Sequence, residues 1–258
     1  DNDTFGGGFR LGYMLTERTR HSWNYIYKGE TIEGVKAGAS EFISNQKGDY
    51  TTSAISHSLI YFGLNDRLNP TKGTKFRISN KLAGLGGNVS FFKTDIEHSM
   101  FYSVTDDYVL SGRFKAGYIF GYNDKKVKLK DRYFLGGDSF PGFEVAGIGP
   151  RDTTSANKDA LGSNMVYTFR TELRVPIPGI APQLGISGAF FGIVGAATDI
   201  DEDGGSKIKD DSSPRASAGF GVEWKSPFGP VRVDFAHAFM KEDYDRTQFL
   251  KFNFGAAF

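Results

Sequence analysis

Cysteine is absent from the 258 residues, so neither a disulfide staple nor a thiolate metal site can form. No run approaches the roughly 18 apolar residues of a membrane-crossing helix. Neither sign of charge dominates: 31 Lys and Arg stand against 30 Asp and Glu, and the basic residues are dispersed. The electrostatic ground for binding nucleic acid is therefore missing. The four histidines, His21, His57, His98 and His237, show no metal spacing, and no Gly-x-Ser-x-Gly frame surrounds any serine. No catalytic residue, metal or cofactor is expected, and the chain does not read as an enzyme. It opens on Asp1 without a leader pattern, as a mature or excised piece would.

The absence of an apolar helix excludes less than it would in a helical protein. Barrel strands cross a bilayer in about 9–11 residues and show hydrocarbon only every second side chain. That alternation is what the chain has in abundance, together with 33 Gly and 24 Phe. In "FLKFNFGAAF" Leu250, Phe252, Phe254 and Phe258 share one face, with Lys251, Asn253, Gly255 and Ala257 opposite. In "MVYTFRTELRV" Met165, Tyr167, Phe169, Leu173 and Val175 oppose Thr168, Arg170, Glu172 and Arg174. "RVDFAHAFM", "ASAGFGVEW" and "YVLSGRFKAGYIF" repeat the pattern, with Arg232 and Asp234, Glu223, and Arg113 and Lys115 on the polar side.

A soluble antiparallel sandwich also alternates. Two features favour a membrane barrel over it. Charges and glycines collect on one face while aromatics end the other, as lipid-facing girdles require. The connections also alternate in kind: short ones near 14–20, 65–73, 104–106, 177–182 and 226–230, against 30–52, 84–89, 122–163, 197–214 and 241–247, several of them long. Eleven strands are predicted, near 5–14, 20–29, 53–64, 74–83, 89–103, 107–121, 164–176, 183–196, 215–225, 230–240 and 247–258. An odd count with first and last strands running the same way means that one strand is miscounted or, the reading preferred, that further strands lie upstream. The fold class expected is an all-β transmembrane antiparallel barrel.

Two stretches invite other readings. "GLGG" at 84–87 looks superficially like a phosphate loop, but it joins two strands. "DIDEDGG" at 199–205 lacks the closing Glu and flanking helices of a calcium loop, so a solvated external loop is expected.

With the strands in place, "YFLGGDSFPGFEVAGIGPRD" resembles the sixth external loop of the BamA superfamily of outer-membrane assembly factors. That loop runs from a Gly-Gly pair to a short Arg-Gly-aromatic core and then to Gly-Pro-Arg. "LNPTKGTKF" resembles the family's Pro-Thr-x-Gly turn, "WKSPFGPVRVDFA" the turn before the penultimate strand, and "FNFGAAF" the C-terminal β-signal. The resemblance covers residues 1–258 as the C-terminal part of a barrel of about sixteen strands. The periplasmic polypeptide-transport-associated (POTRA) domains that precede it in the family are not in this sequence.

The resemblance assigns the loop motif to Gly136, Gly137, Phe140, Pro141, Gly142, Phe143, Gly149, Pro150, Arg151 and Asp152. It assigns the C-terminal seam to Phe252, Phe254, Gly255 and Phe258. In the family the loop folds into the lumen, where the Arg of its core meets an Asp on an inward strand position. Both partners differ here: Pro141 stands in place of the Arg, and Ile193 in place of the Asp if Phe191 and Gly195 are the matching Phe and Gly. Losing one partner of a buried pair costs roughly 3–5 kcal/mol, whereas losing both can be nearly neutral. An apolar latch of Phe140 or Phe143 against Ile193 is the expectation; a slip of one or two residues, with another acidic group serving, is the alternative.

The resemblance implies insertion of nascent β-barrel proteins through a lateral seam in a bacterial outer membrane, with the lipid bilayer and accessory lipoproteins as partners. A secretion barrel of the two-partner or autotransporter-assembly type, a diffusion porin with 122–163 as its constriction, and an organellar assembly barrel remain as alternatives.

Overall fold

A computed structural model describes residues 2–34, 38–227 and 229–254. Eleven antiparallel strands form one sheet in strict sequence order. They are β1 (Asn2–Thr16), β2 (Thr19–Ile32), β3 (Gly48–Leu64), β4 (Gly73–Gly87), β5 (Phe91–Ser103), β6 (Val109–Gly121), β7 (Met165–Pro176), β8 (Ile186–Thr198), β9 (Arg215–Ser226), β10 (Gly229–Met240) and β11 (Leu250–Phe254). Each pairs with its sequence neighbour, so β1 and β11 form the two edges. One helix, α1 (Glu41–Ser44), makes a single turn in the connection between β2 and β3.

Period two holds through the wall because each strand separates two solvents. Phe190 is 60% exposed on the outside while its neighbour Phe191 is 5% exposed inside. Register carries the same face from strand to strand. Phe114 lies opposite Phe169, Phe169 opposite Val194, Phe220 opposite Phe235, and Val233 opposite Phe252. Rings meet across the outer surface, as in Phe92 with Phe120 and the stacked pair Phe220 and Phe235, whose centroids are 4.9 Å apart. Such cross-strand pairs hold register as well as area.

The histidines His21, His57 and His98 lie on this outer face, each already engaged. Tyr13 shares a hydrogen bond with His21, the Asn80 amide donates to His57 Nε2, Thr94 donates to Asn80 Oδ1, and Thr74 bonds with His98. In hydrocarbon a polar group must find its partner within the protein. These four pairings meet most of that demand on the wall itself, leaving His57 Nδ1 without a hydrogen-bond partner.

The predicted strands all exist, with two corrections to their limits. β3 begins at Gly48, five residues before the expected start, which shortens the preceding loop. The last strand is not continuous over 247–258: Thr247 and Gln248 leave the wall and pair elsewhere, and only Leu250–Phe254 continue it among the described residues. Gly255, Ala257 and Phe258, expected in the seam, lie outside the described residues.

Two apolar clusters occupy the inside. One gathers Tyr50, Ala54, Ala83, Val89, Phe91, Ile119 and Val127 where β3–β6 meet the root of the long loop. The other gathers Leu135, Phe140, Phe143, Ile148, Ile193, Ala197 and Ala238 around that loop's tip.

Candidate functional site: an infolded loop tied to the last strand

The connection between β6 and β7 spans residues 122–164 and folds inward. Its root is fixed by Arg132, a buried side chain. The guanidinium donates to the Val127 and Leu161 carbonyls, joining the two limbs of the loop, and to Asp201 Oδ1 at 3.1 Å and Glu202 Oε1 at 2.8 Å. The acidic run 199–205 is thus no freely solvated loop. Two of its carboxylates are consumed in neutralising a buried cation, which could not remain unpaired there.

Further in, Tyr133 donates to Asp95 Oδ1 at 2.8 Å and to the Thr94 carbonyl. Burial, and then the negative charge of Asp95, push the phenol well above its usual range, so it stays a donor. The Lys93 ammonium sits over its ring, 4.0 Å from the centroid. Gly117 makes the space, since a Cβ there would lie 2.5 Å from the Tyr133 ring.

The tip begins at a tight turn. Gly136 has φ +132°, and a side chain on it would run into the Glu144 carbonyl. Phe140 and Phe143 follow, both fully buried and meeting edge to face at 5.2 Å. With Leu135 and Ile148 of the same loop they pack in one cluster with Ile193 and Ala197 of β8 and Ala238 of β10. Pro141 turns its carbonyl to the wall and accepts the Ser217 hydroxyl at 2.5 Å. Gly142, at φ +100°, allows that approach, because a Cβ would stand 2.8 Å from Ser217 Cβ. Where the family carries an ion pair, this chain therefore places two aromatic rings beside an aliphatic wall.

Further along the same inner face the lumen is ionic again. Arg232 donates to Asp234 at 2.8 Å and to both oxygens of Glu172, which also accepts from Arg170 at 2.7 Å. Both guanidiniums also lie near the Phe191 ring, 4.5 Å from its centroid for Arg170 and 5.8 Å for Arg232. Gly221 opens room for the Asp234 carboxylate, whose oxygen would touch any Cβ there. The alternation pattern places these charges inside. Their mutual contacts depend on register between β7 and β10, which are not neighbours, and no local signal carries it.

Beyond the tip the loop turns to the end of the chain. Gly142 and Phe143 pair antiparallel with Gln248 and Thr247. Glu144 donates its amide to the Arg246 carbonyl at 3.0 Å, and Arg246 donates its own to Gly147 at 3.0 Å. Lys251 of β11 meets Asp138 at 3.1 Å. The loop thus takes the place of β10 as partner to the two residues ahead of the final strand.

The Gly-Pro-Arg-Asp segment works as an outer brace. The Pro150 carbonyl accepts from Leu161, and Arg151 donates to the carbonyls of Lys158 and Ala146. Gly149, at φ +112°, lies against Ala197 on β8, where an added Cβ would sit 3.2 Å from that side chain. Asp152 accepts the Ser40 hydroxyl at 2.6 Å, which ties the loop to the cap of α1, and also receives Thr154 and Ser155. Burial alone would raise this carboxyl, but these hydrogen bonds outweigh it and hold it below the usual range. A depressed carboxyl contributes stability above its unfolded value, about 3.9, and loses it as pH falls through the folded one. The brace should therefore hold unchanged from pH 8 to pH 5 and fail only in stronger acid. Asp152→Asn should remove part of it at every pH; proteolysis of residues 33–47 followed against pH would show both.

Fold and site together define a membrane-spanning antiparallel barrel wall with an infolded lid loop bound to its last strand. The Omp85 superfamily domain matches residues 1–258, and the chain belongs to that family of outer-membrane barrels. It is 35% identical over 254 residues to the outer membrane protein assembly factor BamA of Neorickettsia risticii, covering 98% of this chain and 34% of that protein. Similarity extends to the human sorting and assembly machinery component 50 homolog, 31% over 155 residues, covering 59% of this chain and 32% of the relative. Among solved structures, BamA from Haemophilus ducreyi lacking POTRA domains 1–3 superposes with a TM-score of 0.87 at 21% identity. It covers 97% of this chain and 53% of its own, and shows the fold. The chain spans about a third of the length of these curated relatives.

Proposed function

We propose that this chain is the C-terminal barrel segment of an outer-membrane protein assembly factor, which folds and inserts nascent β-barrel proteins into a bacterial outer membrane. The observation that carries this reading is the coupling of loop and last strand. β11 is an edge of the sheet, and an edge offers unpaired main-chain donors and acceptors to an incoming strand. The loop holds that edge in place from above through Gly142 and Phe143. Phe140, Pro141 and Phe143 against Ile193 form the latch that keeps the loop inside; the substitution of aromatic for ionic contact preserves its position without a buried charge. Phe252 and Phe254, outward on β11, belong to the seam, with Gly255 and Phe258 as its continuation in the β-signal.

In the full-length protein the POTRA domains named for the relatives' barrels would precede this segment, and accessory lipoproteins would complete the assembly. The test is a photo-crosslinking residue at Phe252, compared with one at Phe114 on the far wall, in full-length protein reconstituted with an unfolded barrel substrate. Crosslinks at Phe252 and none at Phe114 are expected. Equal yields at both positions would overturn a seam at β11.

A further inference from the structure

Across from the loop tip, the inner face of β1–β4 encloses a cavity of about 490 Å³ that the assembly role has not used. Register arranges its lining in three parallel rows. The middle row is small and hydroxylic: Gly12 lies opposite Ser22, Ser22 opposite Ser58, and Ser58 opposite Ser79. Ser79 donates to Ser58 at 3.0 Å, which joins two of the hydroxyls of this floor. One flanking row ends in Arg10 on β1 and Lys81 on β4, with Asn24 and Ser56 between them. The other carries Arg20 and Arg77, two strands apart, with Ile60 between. Arg20 reaches over the floor, its guanidinium 3.3 Å from where a Gly12 side chain would start.

The cations of this gutter are unequally compensated. Among the described residues neither Arg10 nor Arg20 forms a salt bridge, whereas Arg77, bonded to the Ser79 hydroxyl, stands in register with Glu97, and Lys81 lies over the Phe91 ring and acts on Asp131. The carboxylate that lines the cavity, Asp95, is taken by Tyr133 of the loop. Arg10 and Arg20, without a salt bridge of their own and set beside Arg77, Lys81 and Arg67, favour an anionic occupant. Guanidinium forks match carboxylates with two parallel bonds. The trough crosses four strands at about 4.8 Å spacing, roughly 14 Å, the length of about four extended residues.

We infer that this trough is a lumenal binding site for an extended, carboxylate-rich polypeptide segment, held by Arg10, Arg20, Arg77 and Lys81 over the serine floor. The choice of polypeptide over another anion rests on the assembly reading, because that role brings unfolded chain into the lumen; the site itself rests on the geometry alone.

Full-length protein in detergent micelles would be titrated with a fluorescein-labelled octapeptide of alternating Asp and Ser, its Asn counterpart, and tripolyphosphate. The Asp peptide should bind and the Asn peptide should not. Binding should weaken at least tenfold in Arg20→Gln and in Arg77→Gln, and fall with added salt. Both variants relieve repulsion, so their thermal unfolding should match the parent, and insertion activity is not needed for the readout. Absence of Asp-peptide binding, or binding untouched by either variant, would overturn the site. Tripolyphosphate bound in an Arg77-dependent way without the peptide would overturn the polypeptide assignment.

Discussion

Replacing Ile193 with Asp should detach the loop from the barrel wall. The new carboxylate would lie among Phe140, Phe143, Leu135 and Ala197, and Arg170, its register partner on β7, is already bound to Glu172 and held against the Phe191 ring. An unpaired charge buried in apolar surroundings costs about 3–5 kcal/mol in folded proteins, and the loop can escape that cost by swinging out. Denaturant unfolding of the full-length protein and protease access to residues 136–147 would both register the change. The second half of the experiment is sharper. Pro141→Arg alone also strands a charge, whereas the double variant Pro141→Arg with Ile193→Asp restores the ionic arrangement of the family. Stability and protection should return in part, with a coupling of a few kcal/mol between neighbouring sites. If Ile193→Asp changes neither quantity, the aromatic latch has no energetic content.

The second large effect is expected at Asp245. Its carboxylate meets Arg215 Nε at 2.9 Å, and both side chains are fully buried. Arg215 also donates to the carbonyls of Asp211 and Ser213 and to the Tyr244 hydroxyl, so one cation gathers two external loops. Asp245→Ala leaves that guanidinium uncompensated, at a cost of about 3–5 kcal/mol. The loss falls on residues 241–249, the approach to β11, and should appear as hydrogen exchange there well before the rest of the barrel opens. Replacing both partners with residues of similar size and no charge should cost far less than Asp245→Ala, since nothing charged remains buried. Equal costs for the single and double changes would show that the pair acts by packing alone.

The wall was legible residue by residue because its two sides face different media. Leu173 and Arg174 cannot exchange places without putting a guanidinium in hydrocarbon, so period two survives in every strand. The loop's place in the lumen was legible only through resemblance; in composition, residues 122–163 are merely rich in glycine and aromatics. What stayed hidden was set by distant partners. In "TQFLKFNF" the alternation runs cleanly only from Leu250 to Phe254; the Phe249–Leu250 doublet interrupts it, but nothing there announces that Gly142 and Phe143 pair with Thr247 and Gln248. The acidic run at 199–205 reads as solvated until Arg132, some seventy positions away, is brought beneath it. Ser217 looks like any small inward residue, yet it donates to the Pro141 carbonyl because β9 passes under the tip.

The split in the final strand has a mechanical meaning. Below Phe249 the ribbon is part of the barrel, and above it the chain travels with the loop. The Ala236 amide still bonds the Phe249 carbonyl, and the Phe249 ring rests against Phe235, so that point is fixed while the two sides answer to different bodies. Phe249 is therefore the fulcrum of a lever. Tugging the lid from its socket would rotate the terminal ribbon about this pivot, tilting it as a stiff arm instead of unzipping it bond by bond.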